Sequence, residues 1–177
     1  MSEVEFLHAV RGFLGGAEAL PFWQTVTRLG DGGLVWIAFG VFLLFFKPFR
    51  HVGSAIGVAL FAGFMLCNAS LKPLLDRLRP CEVHPGELIY ACPADGSFPS
   101  GHTTASFAAS LALACFHPRW GAAAFTLAVL IAWSRMYLFV HWPTDVAAGM
   151  LIGTVCAAGA VALLRRTFPP PALRPLH

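Results

Sequence analysis

Three short stretches of this chain combine basic, histidine and hydroxyl residues at spacings that suit the chemistry of phosphate groups. They are KPLLDRLRP at 72–80, PSGH at 99–102 and SRMYLFVHWPTD at 134–145. Lysine and arginine bind phosphate oxygens, and an imidazole can act as nucleophile, acid or base. Each stretch also has a purely structural interpretation, because basic residues at helix ends often only reach towards lipid headgroups.

The PSGH stretch has the features of a helix start. Ser100 suits the N-cap, and the amides that follow it, including those of Gly101 and His102, would lack partners within the helix. A helix N-terminus of this kind binds anions, and Gly101 has no side chain to block a close approach. The alternative is a capped helix with a histidine at the membrane interface.

The third stretch places Arg135 inside an apolar segment and His141 at its boundary. A buried arginine in a membrane segment normally has a partner and a function. Pro143 suits the first turn of the next helix, with Asp145 in that turn. This spacing allows Asp145 to accept a hydrogen bond from one imidazole nitrogen of His141, which leaves the other nitrogen as a nucleophile.

The composition predicts that membrane helices position these residues. Of the 177 residues, 57% are hydrophobic and 12% are charged, about half the charged fraction of a soluble domain. The net charge of +3 and the absence of a basic run argue against a nucleic-acid partner. We therefore expect a single all-α, polytopic membrane domain over 1–177, with five to six transmembrane helices. The apolar segments fall at 33–46, 52–71, 101–117, 120–140 and 143–164.

The two ends of the chain are predicted to differ from this pattern. Charges and Pro21 interrupt 4–29, so the N-terminal region 1–30 is expected to be an amphipathic helix at the membrane interface, although a sixth, poor span remains an alternative. No cleavable signal peptide is expected, because this region has no uninterrupted apolar core. The Pro-rich segment 167–177 is expected to be a frayed tail.

Alternation of the spans brings the three stretches to one membrane surface. The end of 52–71, the start of 101–117, the end of 120–140 and the start of 143–164 would all meet there. The opposite loops carry six basic residues against five on this face, so the positive-inside rule predicts an extracytoplasmic site. Cys81 and Cys92 lie in the loop on this face, where an oxidising compartment would allow a disulfide between them.

Taken together, the spacings K-x6-RP, PSGH and SR-x5-H-x3-D resemble the three signature motifs of the type-2 phosphatidic acid phosphatase superfamily. The motif positions are all filled here, over about 75 residues, by residues of three stretches: Lys72, Arg79 and Pro80; Pro99, Ser100, Gly101 and His102; Ser134, Arg135, His141 and Asp145.

The resemblance implies a metal-independent phosphatase that needs no cofactor and works through a phosphohistidine. By motif position, His141 would attack phosphorus and Asp145 would orient it. His102 would protonate the leaving oxygen and later activate water. The resemblance assigns phosphate binding to the remaining motif residues, Lys72, Arg79, Ser100, Gly101 and Arg135.

The short loops and the position of the site at headgroup level favour a lipid phosphate that diffuses within the bilayer. Undecaprenyl pyrophosphate is the expected substrate, consistent with an enzyme of the inner membrane that serves cell-wall synthesis. Phosphatidylglycerophosphate, phosphatidic acid and the 1-phosphate of lipid A remain open, since the motifs bind the phosphoryl group that they share. A non-catalytic lipid-binding or transport protein is the alternative of another class. The oligomeric state is left open.

Overall fold

The structure is a computed structural model that describes residues 1–167, and its regular secondary structure there is entirely helical. The predicted tail lies outside the described residues from position 168 onward. The α-helices within the described range are α1 Glu3–Phe13, α2 Leu20–Leu29, α3 Leu34–Leu44, α4 Arg50–Phe64, α5 Lys72–Leu75, α6 Pro80–Val83, α7 Gly101–Ala114, α8 Pro118–Tyr137 and α9 Pro143–Thr167.

The long helices form an all-α bundle of six: α1, the α2–α3 pair, α4, α7, α8 and α9. A π-helical segment, Met65–Leu71, extends α4 to the start of α5. Among residues 1–167, three stretches are long and apolar enough to cross a membrane, namely Gly16–Leu44, Lys47–Val83 and Pro143–Arg166. The predicted all-α helical bundle is confirmed, and three candidate spans lie within residues 1–167 where five to six transmembrane helices were predicted.

The N-terminal region differs from the single interfacial helix that was predicted for it. Gly15 and Gly16 both have positive φ, of 101° and 56°, and end the first helix. Pro21 lies in the first turn of α2, where the missing amide of proline does no harm. Helix α2 leads through a short turn into α3. Pro21, which interrupts the apolar pattern of the sequence, therefore lies near the start of a long apolar stretch, Gly16–Leu44.

Helix α7 lies at the centre of the bundle and packs against α4, α8 and α9. Its contact with α9 is close because that helix presents Gly149 and Gly153. A Cβ atom at Gly149 would lie 2.8 Å from the Ser100 carbonyl oxygen, and one at Gly153 would lie 2.6 Å from that of Thr104. This approach brings the start of α7 beside the start of α9, where the Ser100 amide donates to the Asp145 carbonyl at 3.0 Å.

Candidate active site

A cavity of about 540 Å³ begins at the face where these helix ends meet. Its walls there carry six of the predicted site residues, and it continues between α3 and α4 as far as Leu44 and Gly53. Since α3 alone extends over eleven residues, the apolar part is roughly 16 Å long. The predicted residues that line it are Lys72, Arg79, Gly101, His102, Arg135 and His141.

His141 lies in the connection between α8 and α9 and is almost completely buried. Its Nε2 atom is 3.2 Å from Nη1 of Arg79. Arginine has donors only, so Nε2 accepts this hydrogen bond and carries the lone pair, while Nδ1 carries the proton. Burial, and then the charges of Arg135, Arg79 and Lys72, lower the pKa of His141 well below its usual value. The ring is therefore neutral and Nε2 is available as a nucleophile.

Asp145 is fully buried in the first turn of α9, beside His141. Its Oδ2 atom is 3.5 Å from His141 Nδ1, which has no hydrogen-bond partner among the described residues. This differs from the hydrogen bond that the spacing predicted. The carboxylate instead accepts hydrogen bonds from the Trp142 amide at 2.8 Å, the Ser97 hydroxyl at 2.5 Å and Arg77 Nη1 at 2.7 Å. These three donors fix its position next to the ring.

Lys72 and Arg79 are buried and share one carboxylate, that of Asp95. Arg79 Nη2 donates to Asp95 Oδ1 at 2.7 Å, and Lys72 Nζ donates to the other oxygen. Burial alone would raise the pKa of Asp95, but the hydrogen bond and charge of Lys72, followed by those of Arg79, lower it to about 2. The Asp95 carboxylate therefore pairs with the same two cations that a bound phosphate would contact.

Arg135 is 3% exposed near the end of α8. Its Nη1 atom donates to the hydroxyl of Thr27, on α2, at 2.5 Å. Its Nε atom is buried and has no hydrogen-bond partner within residues 1–167. Because a guanidinium offers five donors, Arg135 keeps hydrogen-bonding capacity for an anion in the cavity.

The N-terminus of α7 forms another wall of the site. Ser100 is its N-cap, and the Ser100 hydroxyl accepts hydrogen bonds from the Thr103 amide at 3.5 Å and the Thr103 hydroxyl at 3.0 Å. The amides of Gly101 and His102 belong to the first turn, which has no preceding helical carbonyl to accept from them. A Cβ atom at Gly101 would lie 3.2 Å from the side-chain amide of Asn68, so a larger residue would crowd this wall.

His102 lies in the first turn of α7, with about a fifth of its side chain exposed. Its Nε2 atom is 2.9 Å from Oδ1 of Asp31, which lies in the turn between α2 and α3. This contact joins the predicted acid of the site to the N-terminal third of the chain.

A disulfide joins Cys81 and Cys92, whose Cα atoms are 6.0 Å apart. It connects α6 to the loop that leads to Asp95 and Ser97. That loop then ends at PSGH, so one short segment of chain carries both Asp95 and Ser97 to the site.

Five residues that contact the site were not among the predicted ones. Arg77 counted only as a loop charge in the sequence, although it lies within the first motif. Asp95 and Ser97 lie only a few residues before PSGH, and this closeness in sequence could have indicated that they reach the site. The full set is Thr27, Asp31, Arg77, Asp95 and Ser97.

This arrangement can bind a phosphoryl group and attack it. Lys72, Arg79 and Arg135 bring positive charge to one end of the cavity, and the start of α7 adds amide donors. A neutral imidazole nitrogen, that of His141, lies on the same wall, and a second histidine lies at the opening. The site therefore has a candidate nucleophile, candidate anion-binding groups and a candidate proton donor.

Known proteins resemble this chain in both sequence and fold. The sequence profile of the PAP2 superfamily matches residues 50–169. The crystal structure of Aquifex aeolicus LpxE superposes with a TM-score of 0.76 at 26% identity, over 90% of this chain and 94% of that one.

Two curated relatives are named for their substrates. The undecaprenyl-diphosphatase of Sulfolobus acidocaldarius is 36% identical over 68% of this chain and 59% of its own length. The lipid A 4'-phosphatase of Bacteroides thetaiotaomicron is 31% identical over 75% of this chain and 66% of its own length. The chain thus spans about three-fifths to two-thirds of these relatives.

Proposed function

Because this chain belongs to the PAP2 superfamily, we propose that it is an integral-membrane phosphatase that hydrolyses a lipid phosphate through a phosphohistidine on His141. One observation carries the proposal. His141 lines the cavity with its Nε2 atom beside Arg79, and Asp145 is fixed on the Nδ1 side of the ring.

The first chemical step forms a bond between His141 Nε2 and phosphorus. The bond from phosphorus to the leaving oxygen breaks, and that oxygen keeps the electron pair and takes a proton from His102. Asp145 stabilises the positive charge that develops on the His141 ring, 3.5 Å from its Nδ1 atom.

The second step restores the enzyme. His102 takes a proton from water while the water oxygen bonds to phosphorus, and the bond to His141 breaks with its electron pair returning to Nε2. Phosphate and the dephosphorylated lipid leave, and each histidine regains its initial protonation state. This is general acid and then general base catalysis by one residue.

The cations and the helix N-terminus bind the phosphoryl oxygens through both steps. Lys72, Arg79 and Arg135 neutralise them, and the amides of Gly101 and His102 at the start of α7 supply further donors. Asp95 has to give up its place on Lys72 and Arg79 when phosphate binds, since both anions need the same donors.

The apolar continuation of the cavity supports a lipid substrate. It runs between α3 and α4 and is lined by Trp36, Val41 and Leu60 among other apolar side chains. Ile37 and Phe61, also on its walls, are 46% and 66% exposed, so the groove opens towards the hydrocarbon of the membrane. A hydrocarbon chain lying there would keep its phosphate at His141.

Undecaprenyl pyrophosphate is our first candidate substrate, hydrolysed on the extracytoplasmic side of the inner membrane. The relationship to a named undecaprenyl-diphosphatase supports it. A phosphorylated lipid A is the second candidate, because a relative of comparable coverage is named for lipid A.

The test is phosphate release by purified protein in detergent with EDTA. Undecaprenyl pyrophosphate, lipid A, phosphatidylglycerophosphate, phosphatidic acid and glucose 6-phosphate form the panel, ranked by kcat/KM. We expect His141→Ala to reduce release on the order of 10⁴-fold or more, as loss of a nucleophile does elsewhere. His117→Ala, in the turn between α7 and α8 at the far end of both helices, is the matched control.

Release that needs an added metal would contradict the mechanism. Release that survives His141→Ala would contradict the nucleophile. No release from any lipid would favour the lipid-binding alternative. A preference for glucose 6-phosphate would argue against the lipid groove.

A further inference from the structure

The turn between α2 and α3 has the sequence GDGG, residues 30–33, and lies against the His102 ring. Asp31 Oδ1 is 2.9 Å from His102 Nε2, which is hydrogen-bond distance. The turn precedes the region that matches the family profile, residues 50–169, so the motifs say nothing about it.

The backbone of this turn fits the ring closely. A Cβ atom at Gly30 would lie 2.7 Å from His102 Cδ2 and 2.9 Å from a methyl group of Ile131, so only glycine fits there. Gly32 and Gly33 both have positive φ, of 59° and 69°, which glycine adopts most readily. The glycines thus allow the turn to present Asp31 at the edge of the ring.

Resting on the proposed function, we propose that Asp31 is a positioning residue for His102. Its carboxylate accepts a hydrogen bond from Nε2–H and holds the ring in one orientation, as a carboxylate does for other catalytic histidines. Half of the Asp31 side chain is exposed, at 52%, so the pair lies at the opening of the site.

The contact also decides which nitrogen of His102 serves the substrate. Cδ2 and Nε2 are neighbours in the ring, and both face the turn at Gly30 and Asp31. Nδ1 lies on the other side of the ring, away from the turn. The acid is therefore the His102 ring protonated on both nitrogens: Nδ1–H gives its proton to the leaving oxygen as the phosphorus–oxygen bond breaks, which leaves a neutral ring with its proton on Nε2, and Nδ1 takes a proton back from water in the second step.

The experiment compares two leaving groups in wild type, Asp31→Asn and His102→Asn. Phosphatidic acid releases an alkoxide, which needs a proton donor, whereas 4-nitrophenyl phosphate releases a stable phenolate, which does not. Values of kcat/KM report the step in which the leaving group departs. Loss of a general acid lowers the rate by about 10²–10⁴-fold.

We expect Asp31→Asn to lower kcat/KM about tenfold for phosphatidic acid and less than about threefold for 4-nitrophenyl phosphate, since the His102 ring remains but is no longer held by a carboxylate. Asp31→Glu, which keeps the carboxylate, should recover most of the loss. Glu18→Gln, an amide substitution at an exposed residue ahead of α2, is the matched control and should leave both substrates unchanged.

Adding Asp31→Asn to His102→Asn should lower the rate no further, because the first acts through the second. Equal losses for both leaving groups, or additive losses in the double variant, would overturn the role of Asp31 while leaving the phosphatase intact. If wild type releases phosphate from neither of these substrates and from no lipid of the panel above, the proposed function itself fails and Asp31 loses its role with it.

Discussion

The two histidine–carboxylate pairs beside the cavity are built differently. His141 and Asp145 are four residues apart in sequence, and both side chains are buried, with 3.5 Å between the facing atoms. His102 and Asp31 are 71 residues apart, form a 2.9 Å contact and lie where water reaches both side chains. The buried pair thus has the longer distance, and the exposed pair has the direct hydrogen bond.

Distance to the histidine alone does not decide which of the two carboxylates contributes more to catalysis. Asp145 is held by Ser97, the Trp142 amide and Arg77, and its charge acts in a site that excludes water. Water and salt screen Asp31, whose carboxylate is hydrogen-bonded to His102. We therefore expect the partner of the nucleophile to matter more than the partner of the acid.

The largest effect should come from Asp145→Asn, which keeps the size of the side chain and removes its charge. We expect kcat to fall about 10³- to 10⁴-fold, as it does when the aspartate of a catalytic triad becomes an amide. Asp76→Asn is the matched control, because Asp76 is exposed and asparagine tolerates its φ of 38°. A loss no larger than that for Asp31→Asn would remove the distinction between the pairs.

Arg77→Ala should have an intermediate effect that depends on Asp145. Arg77 donates to Asp145 at 2.7 Å and to Glu3 at 2.6 Å, so it ties the carboxylate to the N-terminus of the chain. We expect kcat to fall about tenfold, the lower end of what a hydrogen bond to a charged group contributes. Arg28→Ala, at an exposed arginine of α2, serves as control.

A double-variant cycle with Asp145→Asn tests whether Arg77 acts through this carboxylate. The loss for Arg77→Ala should largely vanish when Asp145 is already an amide. If the two losses multiply instead, Arg77 has a separate function.

Asp95 provides a third carboxylate for the comparison, one that pairs with cations instead of a histidine. Asp95→Asn should tighten inhibition by inorganic phosphate a few-fold, because phosphate no longer competes with a carboxylate for Lys72 and Arg79. Phosphate inhibition constants for the variant and for Asp76→Asn measure this. Weaker inhibition would mean that Asp95 arranges the two cations for phosphate instead of competing with it.

The same substitution should lower the melting temperature in a pH-dependent way. Folding lowers the pKa of Asp95 to about 2, so its ion pairs stabilise the fold fully above about pH 4. That contribution is lost as the pH falls through 2. The gap between wild type and Asp95→Asn should therefore be constant from pH 5 to 8 and shrink from pH 4 downward. A gap that grows at low pH would contradict this assignment.

The smallest effect should be a salt dependence that separates the two pairs. Raising the ionic strength to 1 M shortens the screening length to about 3 Å, so the exposed contact of Asp31 weakens. The ratio of wild type to Asp31→Asn should fall from about tenfold to about threefold, while the ratio for Asp145→Asn stays constant. Equal salt responses would show that the two carboxylates have similar environments.

The membrane class and most of the helices followed from the sequence alone, because both depend on local composition. The segments 52–71, 101–117, 120–140 and 143–164 overlap helices of the structure, each displaced by a few residues at its ends. The prediction for 1–30 failed in part, because Pro21 starts a helix here instead of ending one. Pro21 was interpreted as an interruption of a helix, although proline is also common in a first helical turn, as was predicted for Pro143.

The sequence by itself determined the motif residues and the face on which they meet. Helix direction alternates with each span, and an i, i+4 spacing carries Asp145 back to His141. Both relations follow from the order and spacing of residues along the chain, so the sequence alone specifies them.

Only the tertiary structure decided which residues support the motifs. Asp31 reaches His102, and Thr27 reaches Arg135 across 108 positions of sequence, because α2 packs against α8 and the turn that follows α2 lies beside α7. Arg77 meets Asp145 for a similar reason, through a loop whose path no periodicity reveals. Contacts between distant segments depend on how helices pack in three dimensions, and a linear pattern carries no record of that packing.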